Sequence, residues 1–550
     1  MKRFPRFRAV TLAALFSGLP LLSAAVGAQE QTSLSARPGQ RTARATPAAS
    51  QGGLRLSLNE AIGLAIANNQ DLNVSVNEAE ASRYDVLRNL GIFDPLAQVS
   101  ATRSHTEDPA TSQLVGAAIS ERDALDVNAS IGQLLPTGGS FSLGYGTNRT
   151  ATNSSFFFIN PSYTSGFTLS ARQPLLRNFG WDATTWLIRT SRNTRDIRYQ
   201  EFIRDVQAVV NGVEQAYWDL VYSLQNLEVQ KESRAISADL NRITRIRIDV
   251  GSLAPIDIVQ TEVGIATAEQ AIIIAEDQIG DAQDRLKRLL NFPLEQWAVP
   301  IVPTDEVRAE LTPVQVAEGT AIAAQRRPEI RIATFNADTF RIRHDFYRNQ
   351  ARPQLDLVGS YGFTGLGGTT TIRDDNGNVI ERTPGSYPDS FDNITDARSW
   401  SVGLVFSYPI FNRTGRGLRG ESLYTWEAAK ASLTAVEQNV LVEVRDAARA
   451  IDTASRSIVA ARKGRELAER NLDAERKRFE NGMTTSFQVT EIQRDLSLAR
   501  TNELQALTVY RKAIAAYHFA IADILDWRGI RLDEVPEPGT PDIRIWHNEP

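Results

Sequence analysis

Apolar residues recur along this chain with two different periods, and the periods alternate in blocks. From Leu187 to Asp249 there is no proline, and Val206, Val210, Val213, Tyr217, Leu220, Leu224 and Leu227 step by three and four. From Leu418 to Glu480 proline is again missing, and Val440, Val444, Ala447, Ile451, Ala454, Ile458 and Ala461 step the same way. Such steps keep one helix face apolar, and sustained over heptads they predict supercoiled helices. Each segment is about 63 residues, or roughly 95 Å at 1.5 Å per residue. Shorter helical patterns cover 57–91, 255–290, 313–350 and 486–525. The two short helices of each half together are about as long as its long one, or somewhat longer. One of them can therefore return halfway from the end of the long helix, and the other can complete the column.

The second period is two. Ala97, Val99 and Ala101 alternate with Gln98, Ser100 and Thr102; Leu355, Leu357, Gly359, Tyr361 and Phe363 share a face, as do Phe167, Leu169 and Ala171, and Val402, Leu404, Phe406 and Tyr408. This is the signature of half-buried strands. The strands close at Gln173-Pro174-Leu175 and Tyr408-Pro409-Ile410. Residues 125–135 and 139–149 also alternate, with Pro136-Thr137-Gly138-Gly139 as a turn between them. This extra pair either joins the other strands, making six per chain, or packs outside them, leaving four. Polar Gly/Asn/Ser/Thr-rich segments at 103–123, 150–162 and 365–398 read as loops, with Asn376-Gly377 as a hairpin tip.

The whole plan is written twice. Residues 57–72 align with 315–330 at an offset of 258, and Pro95 and Pro353, which end the helices there, share that offset. Gly251 and Gly482 lie 231 apart, each between a charged helix end and a new helix. The predicted organisation is a first repeat over 54–300 and a second over 301–526. The first holds a helix at 57–91, strands over 93–175, a long helix at 187–249 and a helix at 255–290. The second holds a helix at 313–350, strands over 353–410, a long helix at 418–480 and a helix at 486–525. A polar mature N-terminus (29–53) and a C-terminal tail (527–550) flank them.

Composition narrows the setting. Residues 1–28 read as a secretory signal: Lys2, Arg3, Arg6 and Arg8 precede an apolar run, and Val26-Gly27-Ala28 suits cleavage. No later stretch approaches the ~20 apolar residues of a membrane-spanning helix. With 60 basic and 65 acidic residues among 550, the net charge of −5 points to no nucleic-acid partner. The chain has no cysteine, hence no disulfide and no thiol chemistry. His105, His344, His518 and His547 are scattered without a ligand companion, so no metal, cofactor or catalytic centre is predicted and the chain does not read as an enzyme. A few strands per chain cannot close a barrel, and open edges are not tolerated in lipid, so several chains must pool their strands.

These features together resemble the TolC family of outer-membrane efflux and secretion channels over about residues 54–526. The strongest single stretch is Arg476 to Ala522, with R-K-R-F-E-N-G-M-T-T-S-F-Q-V-T-E-I-Q-R-D-L, then Tyr510, Ala513 and Tyr517. The resemblance implies a homotrimer, mainly α with membrane β, in which an outer-membrane β-barrel continues into a long periplasmic coiled-coil barrel. It implies an exit duct of a tripartite efflux pump or a type I secretion system. The partners would be a periplasmic adaptor (membrane fusion protein), an inner-membrane transporter and outer-membrane lipid. A coiled-coil scaffold or adhesin is the alternative, and it leaves the strands unexplained.

By position in that family, Asp257, Gln488 and Glu491 are candidates for the closed periplasmic constriction, with Gln488 standing where an acid is often found. Gly251, Ser252, Gly482, Met483 and Thr485 form the candidate tip turns and the adaptor-docking region. Glycine suits the left-handed residue that ends a helix, and Thr485 with Gln488 reads as a capping box. Arg245, Arg247, Arg476 and Arg478 cluster before the turns and are candidates to pair with tip carboxylates and latch the gate. Phe156 to Phe158, Tyr163, Trp181, Trp186 and Trp400 flank the strands, as an interfacial aromatic belt would.

Overall fold

A capping box starts the first helix: Ser57 accepts from the Glu60 backbone N–H and the Glu60 carboxylate accepts from Ser57 N–H at 2.9 Å. The computed structural model describes residues 53–109, 118–154, 156–307, 314–374 and 379–530. The signal segment 1–28, residues 29–52, the Asn376-Gly377 tip and the tail beyond Ile530 lie outside the described residues.

The first repeat runs β1 (Leu54–Leu56), α1 (Leu58–Asn68), α2 (Gln70–Leu90), β2 (Leu96–Pro109), β3 (Ile119–Leu134), β4 (Ser140–Thr152), β5 (Ile159–Pro174), α3 (Trp181–Asp249) and α4 (Ile256–Leu290). The second runs β6 (Ile301–Pro303), α5 (Val316–Arg326), α6 (Pro328–Gln350), β7 (Gln354–Arg373), β8 (Val379–Thr383), α7 (Tyr387–Asp392), β9 (Ala397–Ser407), α8 (Arg413–Glu480), α9 (Ser486–Ala520) and α10 (Ile524–Trp527). The long helices α3 and α8 have 69 and 68 residues, each roughly 100 Å. They start earlier than the apolar pattern does, because their first turns carry polar and aromatic residues that the heptad steps do not mark.

Two predicted helices are each two. The segment 57–91 breaks at Asn69 and the segment 313–350 at Arg327, both with extended backbone there. Asn69 both ends α1 and starts α2: its Oδ1 accepts from Asp71 N–H at 2.9 Å and Leu72 N–H at 3.2 Å. At Arg327 the following Pro328 disfavours helical backbone. The breaks are 258 residues apart, the repeat offset, and they do the same job. Asn69 Nδ2 donates to the carbonyl of Leu289 at the end of α4, and Arg327 Nη1 donates to the carbonyl of Ala520 at the end of α9. Each break therefore joins the end of a returning helix to the start of the helix that continues its column. α4 packs along the lower part of α3 with α2 above it, and α9 packs along α8 with α6 above it.

Two strands had no counterpart in the sequence reading. β1 and β6 pair in parallel, Leu54 opposite Ile301, and tie the starts of the two repeats together. Leu54, Leu56 and Ile301 enter the largest core cluster with Leu58, Val206, Val210, Tyr217 and Leu286. A matching cluster around Val444, Ile451, Ile458 and Tyr510 serves the second repeat.

The remaining seven strands form one antiparallel sheet in the order β2-β3-β4-β5-β7, with β8 and β9 both on β7. The pair β3–β4 therefore lies inside the sheet, between β2 and β5, giving six long strands. β5 pairs with β7 across the repeat boundary, Phe167 opposite Phe363. Strand β7 runs through Gly365 and Gly367 to Arg373, and α7 forms within 387–392, where the sequence suggested only loop. Period two fades there because glycine and threonine replace the apolar positions, while the backbone ladder continues regardless.

Candidate functional site

Register sorts the sheet into two unlike faces. Directly paired residues lie on the same side, so cross-strand rows can be followed from edge to edge. One row is Val99, Ala129, Tyr145, Phe167 and Phe363, ending at Arg398 on β9; the next is Ala97, Ile131, Leu143, Leu169, Tyr361 and Trp400; farther on come Leu357 with Leu404 and Leu355 with Phe406. The intervening rows are Ser100, Asn128, Gly146, Gly166 and Thr364, and Gln98, Ser130, Gly144, Thr168, Gly362 and Ser399. One face is therefore apolar and the other is serine, threonine, glycine and asparagine. The apolar face is bare: Val99 is 75% exposed, Trp400 74% and Val402 70%. On the polar face the carboxylate of Asp356, itself buried, accepts from Arg172 Nε at 2.9 Å near the helix end of the sheet. β2 and β9 are both edges, each paired on one side among the described residues.

The opposite end of the molecule is made by the two turns. At Gly251 (φ +79°) and Gly482 (φ +74°) the helices α3 and α8 end in the same six-residue motif. Ser252 N–H donates to Arg247 O at 2.8 Å and Met483 N–H to Arg478 O at 2.9 Å. Gly251 N–H donates to Ile248 O and Gly482 N–H to Phe479 O, both at 2.9 Å. This left-handed cap needs glycine for its backbone, not for space, since a Cβ at either position would meet nothing within 4 Å. Thr485 Oγ1 accepts from Gln488 N–H at 3.4 Å.

The tips are bound to one another at two levels. Arg247 reaches from the end of α3 to the end of α8, donating to the carbonyls of Phe479 and Glu480, both at 2.5 Å, with its guanidinium 4.7 Å from the Phe479 ring centre. A cation on the last carbonyls of a helix also meets the negative end of its dipole. At the starts of α4 and α9, Ser486 Oγ donates to Asp257 Oδ1 at 3.2 Å. Leu240, Leu472, Phe479, Val489, Ile492 and Leu496 form the apolar cluster behind these contacts.

Of the four candidate latch arginines, only Arg247 crosses between the hairpins, and it binds backbone carbonyls instead of carboxylates. Arg245 pairs with Glu262 at 2.9 Å inside its own hairpin, and Arg478 with Glu475 at 3.4 Å on its own helix. Arg476 has no ion pair among the described residues. Of the constriction candidates, Asp257 is held by Ser486, Glu491 pairs with Arg494 at 2.6 Å, and Gln488 is exposed. Glu491 lines a groove of about 630 Å³ between α3, α4 and α9, together with Gln260, Val263, Phe487 and Gln493. Gln493 is 5% exposed, and neither atom of its amide has a hydrogen-bond partner.

Ser486 and Gln493 were missed by sequence reasoning. A serine in a helix first turn and a glutamine on a helix give no sign of contacts that lie in another hairpin. Among the described residues no group of three or more His, Asp or Glu side chains is arranged to hold a metal ion.

A family model described as outer membrane efflux protein matches residues 111–291 and 321–521. No curated protein matches the sequence. Among solved structures, the chain is similar to the CmeC outer membrane channel of Campylobacter jejuni, at 15% identity and TM-score 0.62, covering 85% of this chain and 86% of that one. A membrane protein from Pseudomonas aeruginosa is 18% identical with TM-score 0.62, covering 87% and 95%. The outer membrane protein VceC of Vibrio cholerae is 14% identical with TM-score 0.59, covering 84% and 96%.

Proposed function

The chain belongs to the outer membrane efflux protein family, and from that premise we propose that it is the passive exit duct of an efflux assembly. Its place is the outer membrane, with the large helical part in the periplasm. The observation that carries the duct reading is the sorting of the sheet into a bare apolar face and a Ser/Thr/Gly/Asn face. Lipid accepts the first and water the second.

Edges β2 and β9 cannot be left open in hydrocarbon. Three copies, joining β9 of one to β2 of the next, close the edges of the long strands. The six long strands of each copy then close a barrel of eighteen strands, a size at which a barrel encloses an aqueous channel. The helical columns continue that channel to the tip turns.

In the trimer Asp257 and Glu491 form rings of like charge at the narrow end, with Gln488 beside them. Such rings favour cations and repel one another, so a contact elsewhere must hold the tip shut. Arg247 on the carbonyls of Phe479 and Glu480 supplies it; Arg245, Arg476 and Arg478 add positive charge around the throat. A periplasmic adaptor seats at the tip turns Gly251, Ser252, Gly482, Met483 and Thr485 and in the groove beside Gln493. An inner-membrane transporter supplies the energy, in a tripartite pump or a type I secretion system.

The test is planar-bilayer conductance of the purified protein and of its Asp257→Ala/Glu491→Ala variant. Small cation-selective steps that enlarge or lose selectivity in the variant support both the duct and its gate. Unchanged steps discard the gate residues. Absence of any insertion or conductance, together with migration unaffected by heating, sinks the duct and favours a scaffold.

A further inference from the structure

On β9, β4 and β2 the apolar face of the sheet ends, away from the helices, at an arginine, while on β3 it ends at Asp123, which with Glu107 holds His105. On β9 it runs Phe406, Leu404, Val402, Trp400 and then Arg398. On β4 it runs Phe141, Leu143, Tyr145, Thr147 and then Arg149, and on β2 Ala97, Val99, Ala101 and then Arg103. Arg103, Leu125, Arg149 and Tyr163 stand in one cross-strand row. The strands bearing Arg103 and Arg149 are two spacings apart, roughly 10 Å.

Between Arg149 and Arg398 lie β5 and β7, and there the same face carries α7. Tyr387 Oη is 2.6 Å from Tyr145 Oη, Ser390 Oγ is 2.7 Å from Ser165 Oγ, and the Phe391 ring is 6.5 Å from that of Phe167. Gly365 and Gly367 leave room for its backbone: a Cβ at 365 would stand 2.1 Å from Ser390 O, and one at 367 would stand 2.5 Å from Ser390 N. Tyr387 and Phe391 remain partly exposed. The rim is thus arginine, aromatic helix, arginine, arginine.

These three arginines are all exposed, and none has a hydrogen bond or ion pair among the described residues. Elsewhere Arg172 on the sheet and Arg189, Arg198, Arg234, Arg245, Arg341 and Arg465 on the helices each meet a carboxylate, though Arg476 does not. A guanidinium at the end of an apolar strand face lays its stem along hydrocarbon and turns its head to the polar layer. Its fork matches phosphate oxygens. We propose that Arg103, Arg149 and Arg398, with α7 between them, bind the phosphate of anionic outer-leaflet lipid and set the depth of the barrel in the membrane. This rests on the reading of the apolar face as the lipid-facing one.

The experiment is native mass spectrometry of the full-length protein in detergent, titrated with phosphatidylglycerol or with phosphatidylcholine of the same acyl chains. Bilayer conductance is recorded on the same preparations. The wild type should retain phosphatidylglycerol with roughly ten-fold preference. An Arg103→Gln/Arg149→Gln/Arg398→Gln variant should lose the preference and still conduct, and the corresponding Lys variant should keep most of it. Equal preference in conducting wild type and Gln variant overturns the lipid site alone. So does removal of the preference by millimolar inorganic phosphate, which would mark a site for free anions. A wild type that neither inserts nor conducts counts against the duct reading itself.

Discussion

Arginine in place of Val402 puts a charge in the middle of the bare apolar face, flanked by Trp400 and Leu404, whereas arginine in place of the neighbouring Ser401 puts it on the polar face. Val402 is opposite Gly359 and Ser401 is opposite Ser360. The two substitutions share a strand, a loop distance and a change in net charge, so their difference isolates the face. If the apolar face meets lipid, Val402→Arg costs about 2–4 kcal/mol per copy near the bilayer midplane. That is roughly a 30- to 1,000-fold shift in the folded population. Ser401→Arg loses only the hydroxyl contact to Ser360, 2.8 Å long, about 0.5–1.5 kcal/mol. The assay is urea unfolding of the protein reconstituted in vesicles, followed by loss of heat-modifiable migration. A larger cost for Ser401→Arg would invert the two faces. A Val402→Arg protein that is as stable as wild type and more soluble without detergent would refute the membrane assignment altogether, since a water-exposed valine gains from becoming charged.

Two further predictions concern the helical part. Glu214 is fully buried on α3, and Arg528, just past α10, binds both its oxygens at 2.6 and 2.7 Å; Arg528→Ala should cost about 3–5 kcal/mol by leaving that carboxylate unpaired. Adding Glu214→Gln should recover much of it in thermal unfolding, and no recovery would show that the segment is held by its packing alone. Burial would raise the Asp338 carboxyl, but hydrogen bonds from Asn193 and Arg341 outweigh burial and hold it below the usual carboxylate range. A depressed value stabilises the fold above the unfolded pKa, about 4. That contribution is lost as pH falls through the folded value, so Asp338→Asn should flatten the acid limb of the stability curve below pH 4. An unchanged acid limb in the variant would remove this contact from the account.

Legibility followed the range of the interactions. Heptad steps, the glycine ends and the period-two runs are local, so the long helices, the turns that end them and most strands could be read from the chain. Gly251 and Gly482 were readable as helix ends because a left-handed cap selects glycine wherever it occurs. The break at Arg327 carried a local sign in Pro328, while Asn69 was masked by the helical pattern on both sides.

Contacts between elements left no such trace. The role of Arg247 changed in the structure: the sequence offers it carboxylates, and the fold gives it the carbonyl end of a helix 232 and 233 residues away, at Phe479 and Glu480. Ser486 became a tip contact only because Asp257 is brought beside it. By itself the sequence determined the two long helices, most of the strands and the doubling of the plan, because periodicity and turn chemistry act within a few residues. Only the tertiary structure decided that β3 and β4 lie inside the sheet, that β5 joins β7, which face is bare, and that α7 seats on glycines of β7. Those outcomes depend on register and close approach between segments up to about 200 residues apart, and nothing local encodes them.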